Sequence, residues 1–257
     1  MLYTIGGVVV VLGILGGILY YTKTHTAPLA ATVATTTDAT PGVVHGNGYT
    51  IEEVPVGTLE SIAPDLDRKI VFGATVPQEI RKVLQAKVDA TTARLKKDLT
   101  LSEDWYNLAI YYHEANDYDG ARIVWEFLIK AVPENPVAYE NLGKLYHYDL
   151  KLYVKAESYL KLGITKDPKN YDAYNELYLL YLYSYKQNTT AAVDILNTAA
   201  KALPTDYTPY YVLGTYYRDK GDTANAKSAF TKAMDRARAA ANVNGIKIIG
   251  DELAKLP

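Results

Sequence analysis

The feature that most constrains the fold of this chain is a pattern that recurs every 34 to 36 residues. It is anchored on four aromatic residues: Trp105, Tyr139, Tyr174 and Tyr210. A leucine follows each anchor after three residues: Leu108, Leu142, Leu177 and Leu213. A tyrosine follows each leucine after four more: Tyr112, Tyr146, Tyr181 and Tyr217. Apolar residues at i, i+3 and i+7 share one face of a helix, so each repeat is predicted to begin with an amphipathic helix.

The second half of each repeat carries a small residue followed by a large one. An alanine recurs in each: Ala121, Ala156, Ala192 and Ala226. A large apolar residue follows it after four residues: Trp125, Leu160, Leu196 and Phe230. A proline closes the first three repeats: Pro133, Pro168 and Pro204. The alanine lets two helices approach closely and the proline ends the second helix, so the pattern predicts stacked helix pairs.

This pattern resembles the tetratricopeptide repeat (TPR), W-x₂-L-G-x₂-Y…A-x₃-F…P, over more than half of the chain. The resemblance implies an all-α fold, a right-handed α-solenoid of four TPR helix pairs. The four predicted units are 102–135, 136–170, 171–206 and 207–240. Two flanking helices are expected: a leading amphipathic helix at 75–98 and a C-terminal capping helix at 241–257.

Two repeats are longer than the pattern requires. Ala156 comes one residue late and Ala192 two residues late, relative to the first repeat. We expect these insertions to loop outward in the turns at 149–155 and 184–190, because extra residues in a surface turn cost little.

Two substitutions also depart from the family pattern. Tyr178 stands where the family prefers a small residue, which predicts crowding in the third helix pair. Arg238 replaces the closing proline of the fourth repeat, so its second helix is expected to run on towards Ala241. A last apolar face then follows for the capping helix: Ile246, Ile249 and Leu253.

Residues 2–21 form a 20-residue run without a charge, and as a helix this run would span about 30 Å, the thickness of the hydrocarbon core. Tyr3, Tyr20 and Tyr21 at its ends match the aromatic belts of membrane helices. The alternative is a cleaved signal peptide, with residues 32–34 as the cleavage site. No basic residue precedes the run and it is longer than a typical signal core, so an N-terminal transmembrane helix is predicted.

The orientation of this helix is weakly encoded. Lys23 favours the C-terminal side inside, whereas the threonine-rich stalk that follows is typical of exposed extracytoplasmic domains. We expect a single-pass protein of a bacterial cell membrane with its TPR domain extracytoplasmic. Gly13 and Gly17 form a G-x-x-x-G motif through which two such helices could form a homodimer, although glycine is common in membrane helices generally.

A stalk and partly ordered linker is predicted at 22–74. Its first 21 residues hold eight threonines, five alanines and two prolines without hydrophobic periodicity, as expected of a tether. The helix at 75–98 begins with capping-box spacing between Thr75 and Gln78, and Pro77 falls in its first turn.

The TPR resemblance also implies a concave binding groove lined by the first helix of each pair. Positions that face this groove in the family correspond here to Tyr106, Ile110, His113, Glu140, Lys144, His147, Tyr148, Asn175, Leu179, Tyr183, Tyr211 and Arg218. Such a surface is aromatic and mildly polar without a dominant charge. Tyrosine combines large contact area with one hydroxyl, which favours binding of a protein or an extended peptide.

Some members of the family clamp a C-terminal carboxylate with lysine and asparagine side chains in the groove. The matching places here are Tyr106, Ile110, Asn141, Asp172 and Glu176. Only the asparagine is kept, and the two acids would repel a carboxylate, so this clamp is not expected.

Composition excludes several other functions. There is no cysteine, which removes disulfides, thiol catalysis and cysteine-ligated metals, and the net charge of −2 argues against a nucleic-acid binder. His113 and His147 occupy equivalent places in adjacent repeats but lack a third ligand at fixed spacing, so no metal site and no cofactor are predicted. No phosphate loop, G-x-S-x-G or H-E-x-x-H motif is present, so we expect no enzyme activity.

The sequence therefore predicts a membrane-tethered scaffold or adaptor that holds a protein or peptide in its groove. Two alternatives remain at this point. One is a self-associating structural spacer, and the other is a non-catalytic subunit of an envelope complex.

Overall fold

The computed structural model describes residues 58–187 and 189–257, together with the backbone of four short strands. The strands are β1 (Tyr3–Ile5), β2 (Val8–Val10), β3 (Val44–Gly46) and β4 (Tyr49–Ile51). β1 pairs antiparallel with β2, and β3 pairs antiparallel with β4. The chain divides into two compact units, the first ending at Lys166 and the second beginning at Asp167.

Helices account for most of the described residues. Those of the first unit are α1 (Leu59–Ile62), α2 (Gln78–Leu95), α3 (Ser102–Glu114), α4 (Tyr118–Ala131), α5 (Pro136–Lys144) and α6 (Tyr153–Lys166). Those of the second unit are α7 (Tyr171–Leu179), α8 (Ala191–Ala202), α9 (Thr208–Asp219), α10 (Thr223–Ala239) and α11 (Val243–Lys255). Within each unit, from α2 to α6 and from α7 to α11, each helix packs on the next. Each unit therefore has the TPR-like helical-repeat fold.

The residues that define the repeat form the core. Trp105 of α3 and Trp125 of α4 are fully buried, and the ring of Trp105 lies 4.4 Å from that of Phe127 between centroids. Three of the four recurrent tyrosines are buried and the fourth is half-buried: Tyr112, Tyr146, Tyr181 and Tyr217. The pattern thus identified the faces on which the helices pack.

The described part of the structure does not contain the predicted transmembrane helix at 2–21. Within that range the backbone of β1 and β2 is extended and paired, with Tyr3 opposite Val10, and the other residues lie outside the described part. In the part of the chain that the structure describes, no helix combines the length and apolarity needed to cross a bilayer. The membrane segment stays a prediction.

The inserted residue of the second repeat does not loop outward as predicted, whereas the third repeat keeps one of its two inserted residues in the turn at 185–190, whose described residues are exposed from Lys186 onward. Each first helix instead ends in a π-helical turn, Leu145–Asp149 after α5 and Leu180–Ser184 after α7. The wider turn is closed by i→i+5 hydrogen bonds: the Leu150 N–H donates to Leu145 O at 3.0 Å, and that of Tyr185 to Leu180 O at 2.8 Å. A π turn takes up extra residues while keeping backbone groups paired, and such turns are frequent at functional sites.

The start of α2 also differs from the predicted capping box. Pro77 is the N-cap residue, and no side chain caps the helix. The Thr75 hydroxyl instead accepts a hydrogen bond of 3.1 Å from the side-chain amide of Asn116, which lies in the turn between α3 and α4. The Thr75 hydroxyl therefore takes part in a tertiary hydrogen bond and does not cap α2.

The segment between α1 and α2 is fastened to the first repeat by one buried carboxylate. Asp117, the N-cap of α4, accepts hydrogen bonds of 2.6 and 2.8 Å from the two terminal guanidinium nitrogens of Arg68. It also accepts from the backbone N–H groups of Val71 at 2.8 Å and Gly120 at 3.1 Å. The linker is therefore ordered from Thr58 onward by contacts with the repeat it precedes.

In the second unit, Tyr178 is buried rather than displaced, and burial raises its pKa to about 12. The fourth repeat has a smaller residue at that place, Gly214, which lies against the ring of Phe230. α10 ends at Ala239, and α11 packs on it through the fully buried Ile249.

Candidate functional site

The predicted groove residues of α3 differ in burial. Tyr106 is buried, which raises the pKa of its hydroxyl, and Ile110 is half-buried. His113 is half-buried, and its Nε2 lies 3.0 Å from a carboxylate oxygen of Asp149 at the end of the first π turn. Its ring centroid is 5.5 Å from that of Tyr118. His113 therefore joins the first and second repeats.

The predicted groove residues of α5 are buried although they are charged. Glu140 is 3% exposed and Lys144 is 4% exposed. Gly163 of α6 makes room for Glu140, since a Cβ at Gly163 would lie 3.1 Å from Glu140 Cγ. Glu140 thus packs towards its partner helix, a direction that the repeat position alone does not reveal.

His147 and Tyr148 follow in the π turn and form an aromatic pair. Their ring centroids are 3.9 Å apart in a stacked arrangement, and the ring of Tyr153 meets His147 edge-on at 6.2 Å. Burial, reinforced by the charge of Lys151, lowers the pKa of His147 to about 4. At neutral pH this imidazole is uncharged and forms part of a buried aromatic contact.

This lowered pKa makes the stability of the first unit depend on His147 in acid. Unfolding restores the ordinary pKa of about 6.5, so the unfolded chain binds the extra proton, and stability present above that pH is lost as pH falls towards the folded value. We expect His147→Gln to shrink the drop in melting temperature between pH 7 and about pH 4.5. His25→Gln in the stalk should leave that drop unchanged, and equal drops in wild type and His147→Gln would contradict the assignment.

Asn141 is a buried polar residue at the centre of α5. It is 1% exposed, and neither its side-chain nitrogen nor its oxygen has a hydrogen-bond partner among the described residues. Buried amides are almost always hydrogen-bonded, so Asn141 stands out among the buried polar residues of the first unit. From the sequence, Asn141 was considered only as the one residue of the carboxylate-clamp pattern that this chain keeps, and it was not predicted to line the groove.

The second unit presents its predicted residues differently. Asn175 and Leu179 of α7 are half-buried, and Tyr183 in the second π turn is 67% exposed. Tyr211 of α9 is half-buried, with its ring centroid 5.8 Å from that of Phe230. These side chains form a partly open aromatic and apolar surface.

Arg218 is the exception in the second unit. Its guanidinium donates to the carboxylate of Glu252 on α11, and also to Asp219 at 2.8 Å. The pKa of Glu252 is lowered by its hydrogen bond from Lys255 and by the charge of Arg218. Arg218 therefore ties α9 to the C-terminal helix instead of facing an open surface.

The two histidines have separate partners. His113 lies against Asp149, whereas His147 stacks on Tyr148. Within residues 58–187 and 189–257, no group of three or more His, Asp or Glu side chains is placed to hold a metal ion.

Consecutive helices with interlocking aromatic and alanine faces define a TPR-like helical-repeat protein. The family profile described as tetratricopeptide repeat matches residues 207–239, which confirms the pattern in the fourth predicted repeat. Comparison of the sequence with curated proteins gives no match.

Several solved structures are similar to this chain. The crystal structure of MamA is 21% identical, with a TM-score of 0.47, over 67% of this chain and 99% of MamA. YrrB, described as a TPR protein with an unusual peptide-binding site, is 15% identical with a TM-score of 0.43, over 65% of this chain and 92% of its own. PilW, described as a type IV pilus biogenesis factor, is 16% identical with a TM-score of 0.43, over 69% and 93%.

Proposed function

We propose that this chain is a membrane-tethered scaffold whose α5 face binds an extended segment of a partner protein. The observation that carries the proposal is the buried, unpartnered side chain of Asn141. A carboxamide donates and accepts at once, so it complements the N–H and C=O of one extended peptide residue. A bound backbone would satisfy both atoms and remove a penalty of about 1–3 kcal/mol.

The surroundings of Asn141 suit a peptide rather than a small charged ligand. The half-buried ring of Tyr148 offers flat aromatic area, and it stacks on the buried His147, which is neutral at physiological pH. Glu140 and Lys144 bring one charge of each sign, which leaves no dominant field. Aromatic contacts of this kind favour protein and peptide ligands.

Asn141→Leu tests the peptide site. Leucine fills a similar volume without polar atoms, so the melting temperature should be unchanged or higher, while affinity for peptides selected on the full chain from a random displayed library should fall about 10- to 100-fold. Asn197→Leu, on the exposed face of α8, should change neither quantity. Unchanged affinity in Asn141→Leu would remove the site.

We also propose that the chain has no catalytic activity of its own. Its sequence lacks the nucleophile, metal and phosphate-loop motifs expected of the common enzyme classes. Its role is then to bring other proteins together.

The membrane tether rests on the uncharged run at 2–21 and the threonine-rich stalk. The full chain should remain in the membrane pellet after alkaline carbonate extraction. Since the chain has no cysteine, a single Thr36→Cys change reports the side of the membrane: labelling of intact cells by an impermeant maleimide is expected for an extracytoplasmic domain. Protein in the carbonate supernatant, or labelling only after lysis, would contradict the respective proposal.

Self-association is the alternative role. Gly13 and Gly17 would then join two membrane helices as a homodimer and the repeats would act as a spacer. A detergent-solubilised chain that stays monomeric at all concentrations, together with peptide binding, would favour the scaffold.

A further inference from the structure

The residues before α2, 58–77, form a strap that has little core of its own. Its first residues are helical in α1, and residues 63–77 form neither helix nor strand. Three of its side chains are buried, Leu59, Ile70 and Val76, and the others are half-buried or exposed. A segment with so few buried apolar side chains opens more easily than the helices on which it lies.

The strap is joined to the first repeat at one turn, the turn between α3 and α4. The backbone N–H of Gly73 donates to Ala115 O at 2.8 Å. Asp117 in the same turn accepts three further hydrogen bonds from the strap, two from Arg68 and one from the backbone of Val71. Because one carboxylate accepts so many of these bonds, the docking of the strap depends on a single residue of the repeat.

The contacts of the strap with the middle of α2 are looser. An open groove of about 240 Å³ lies between residues 66–69 of the strap and residues 85–96 of α2. It is bridged by the ion pair of Asp67 with Lys96 at 2.5 Å, whose side chains are 78% and 44% exposed. An exposed ion pair contributes little, and a groove of this size means that the strap is not closely packed on α2.

We propose that the strap releases from the first repeat as a whole while α2 to α6 stay folded, and that the ion pair of Arg68 with Asp117 is its latch. The C-terminal end of the strap stays on α2, where Arg81 Nε donates to Val76 O at 2.8 Å. A pull from the N-terminal side of the chain reaches the strap before it reaches the repeats, so the latch opens first.

Release of the strap changes how far the repeats can reach from the proposed membrane segment. The strap has 20 residues, which span at most about 70 Å when extended. The scaffold therefore has a short reach with the strap docked and a longer reach with the strap free. This consequence rests on the proposed membrane tether, whereas the release itself does not.

Amide hydrogen exchange of the full chain in detergent measures the release. The amides of Val71 and Gly73 should exchange at least about tenfold faster than those of residues 108–112 inside α3, because the strap opens while α3 stays folded. Raising urea to about 1.5 M should change the strap rates by about twofold or less and raise the α3 rates at least about tenfold, since unfolding of the repeats exposes far more surface. Equal rates with equal urea dependence in the two regions would overturn the proposal.

Asp117→Asn tests the latch. Asparagine is as good an N-cap for α4 but lacks the charge that binds the guanidinium of Arg68, so the strap amides should exchange about 10- to 100-fold faster. Asp119→Asn is the matched control, because the Asp119 side chain is 64% exposed and approaches Arg68 no closer than 3.9 Å. Strap rates that rise equally in the two variants, or in neither, would show that Asp117 is not the latch.

Gly73→Ala gives a second measurement that leaves the ion pair intact. A Cβ at Gly73 would lie 2.7 Å from Asn116 Cβ, so the strap could not seat on the turn as it does here. The strap amides should then exchange at least about fivefold faster, and an unchanged rate would count against the docked position of the strap. None of these experiments involves a partner or a bilayer, so their failure leaves the peptide site and the membrane tether standing. Failure of the Asn141→Leu or carbonate test likewise leaves these results unchanged.

Discussion

Replacing Asp117 by alanine is expected to lower the free energy of unfolding of the first unit by about 2–4 kcal/mol, the combined cost of losing charge-assisted hydrogen bonds and the N-cap of α4. The substitution removes the acceptor of four hydrogen bonds, two from Arg68 and one each from the backbone of Val71 and Gly120. It leaves the guanidinium against the core and uncaps α4. Chemical denaturation followed by circular dichroism measures the loss.

Asp119→Ala is the matched control for this prediction. Asp119 is two residues away, its side chain is 64% exposed, and its nearest approach to Arg68 is 3.9 Å. An exposed pair of this kind contributes about 1 kcal/mol or less. Equal losses in the two variants would show that Asp117 does not fasten residues 58–77 to the repeat.

Gly214→Ala should destabilise the second unit by about 2–3 kcal/mol, although alanine is the better helix former. A Cβ at Gly214 would lie 2.5–2.7 Å from three atoms of the Phe230 ring, which is fully buried and cannot move aside without disturbing α10 and α11. Overpacking of this kind typically costs 1–3 kcal/mol. Thermal and chemical unfolding of the two proteins measure the difference.

Gly250→Ala makes the same chemical change where there is space. A Cβ at Gly250 meets only Met234 Cε at 3.8 Å, so the gain in helix propensity should stabilise α11 by about 0.5–1 kcal/mol. The two glycine variants should therefore shift stability in opposite directions. A gain in both would mean that the contact between α9 and α10 is looser than the structure indicates.

The parts of the fold that could be predicted are those encoded by a periodic sequence pattern. Aromatic and alanine positions recur at helical spacing in four repeats, so the helix pairs and their buried faces follow from the pattern. The ion pair between Arg68 and Asp117 has no such signal, because the two residues are 49 positions apart and Arg68 lies outside the repeats. The number of inserted residues in each repeat can be read from the sequence. The sequence does not reveal that a π turn at the end of the first helix takes up one of them in the second and third repeats.

The candidate site was predicted less completely. The position of a residue in the repeat predicts which side of the helix it lies on, but it does not predict which other residues surround its side chain. Glu140 turns towards Gly163, and Arg218 is held by Glu252 of a helix outside the repeats. Asn141 became prominent only when its side chain was found buried without a partner.

The central claim is that the α5 face holds a segment of another protein in the cell. The most direct measurement is photo-crosslinking in living cells from benzoylphenylalanine at position 148, beside His147, followed by mass spectrometry. The account predicts a discrete heterologous protein that is lost in the Asn141→Leu background and absent when the probe replaces the exposed Lys130. Crosslinks only to a second copy of this chain, or a partner retained at full yield in Asn141→Leu, would contradict it.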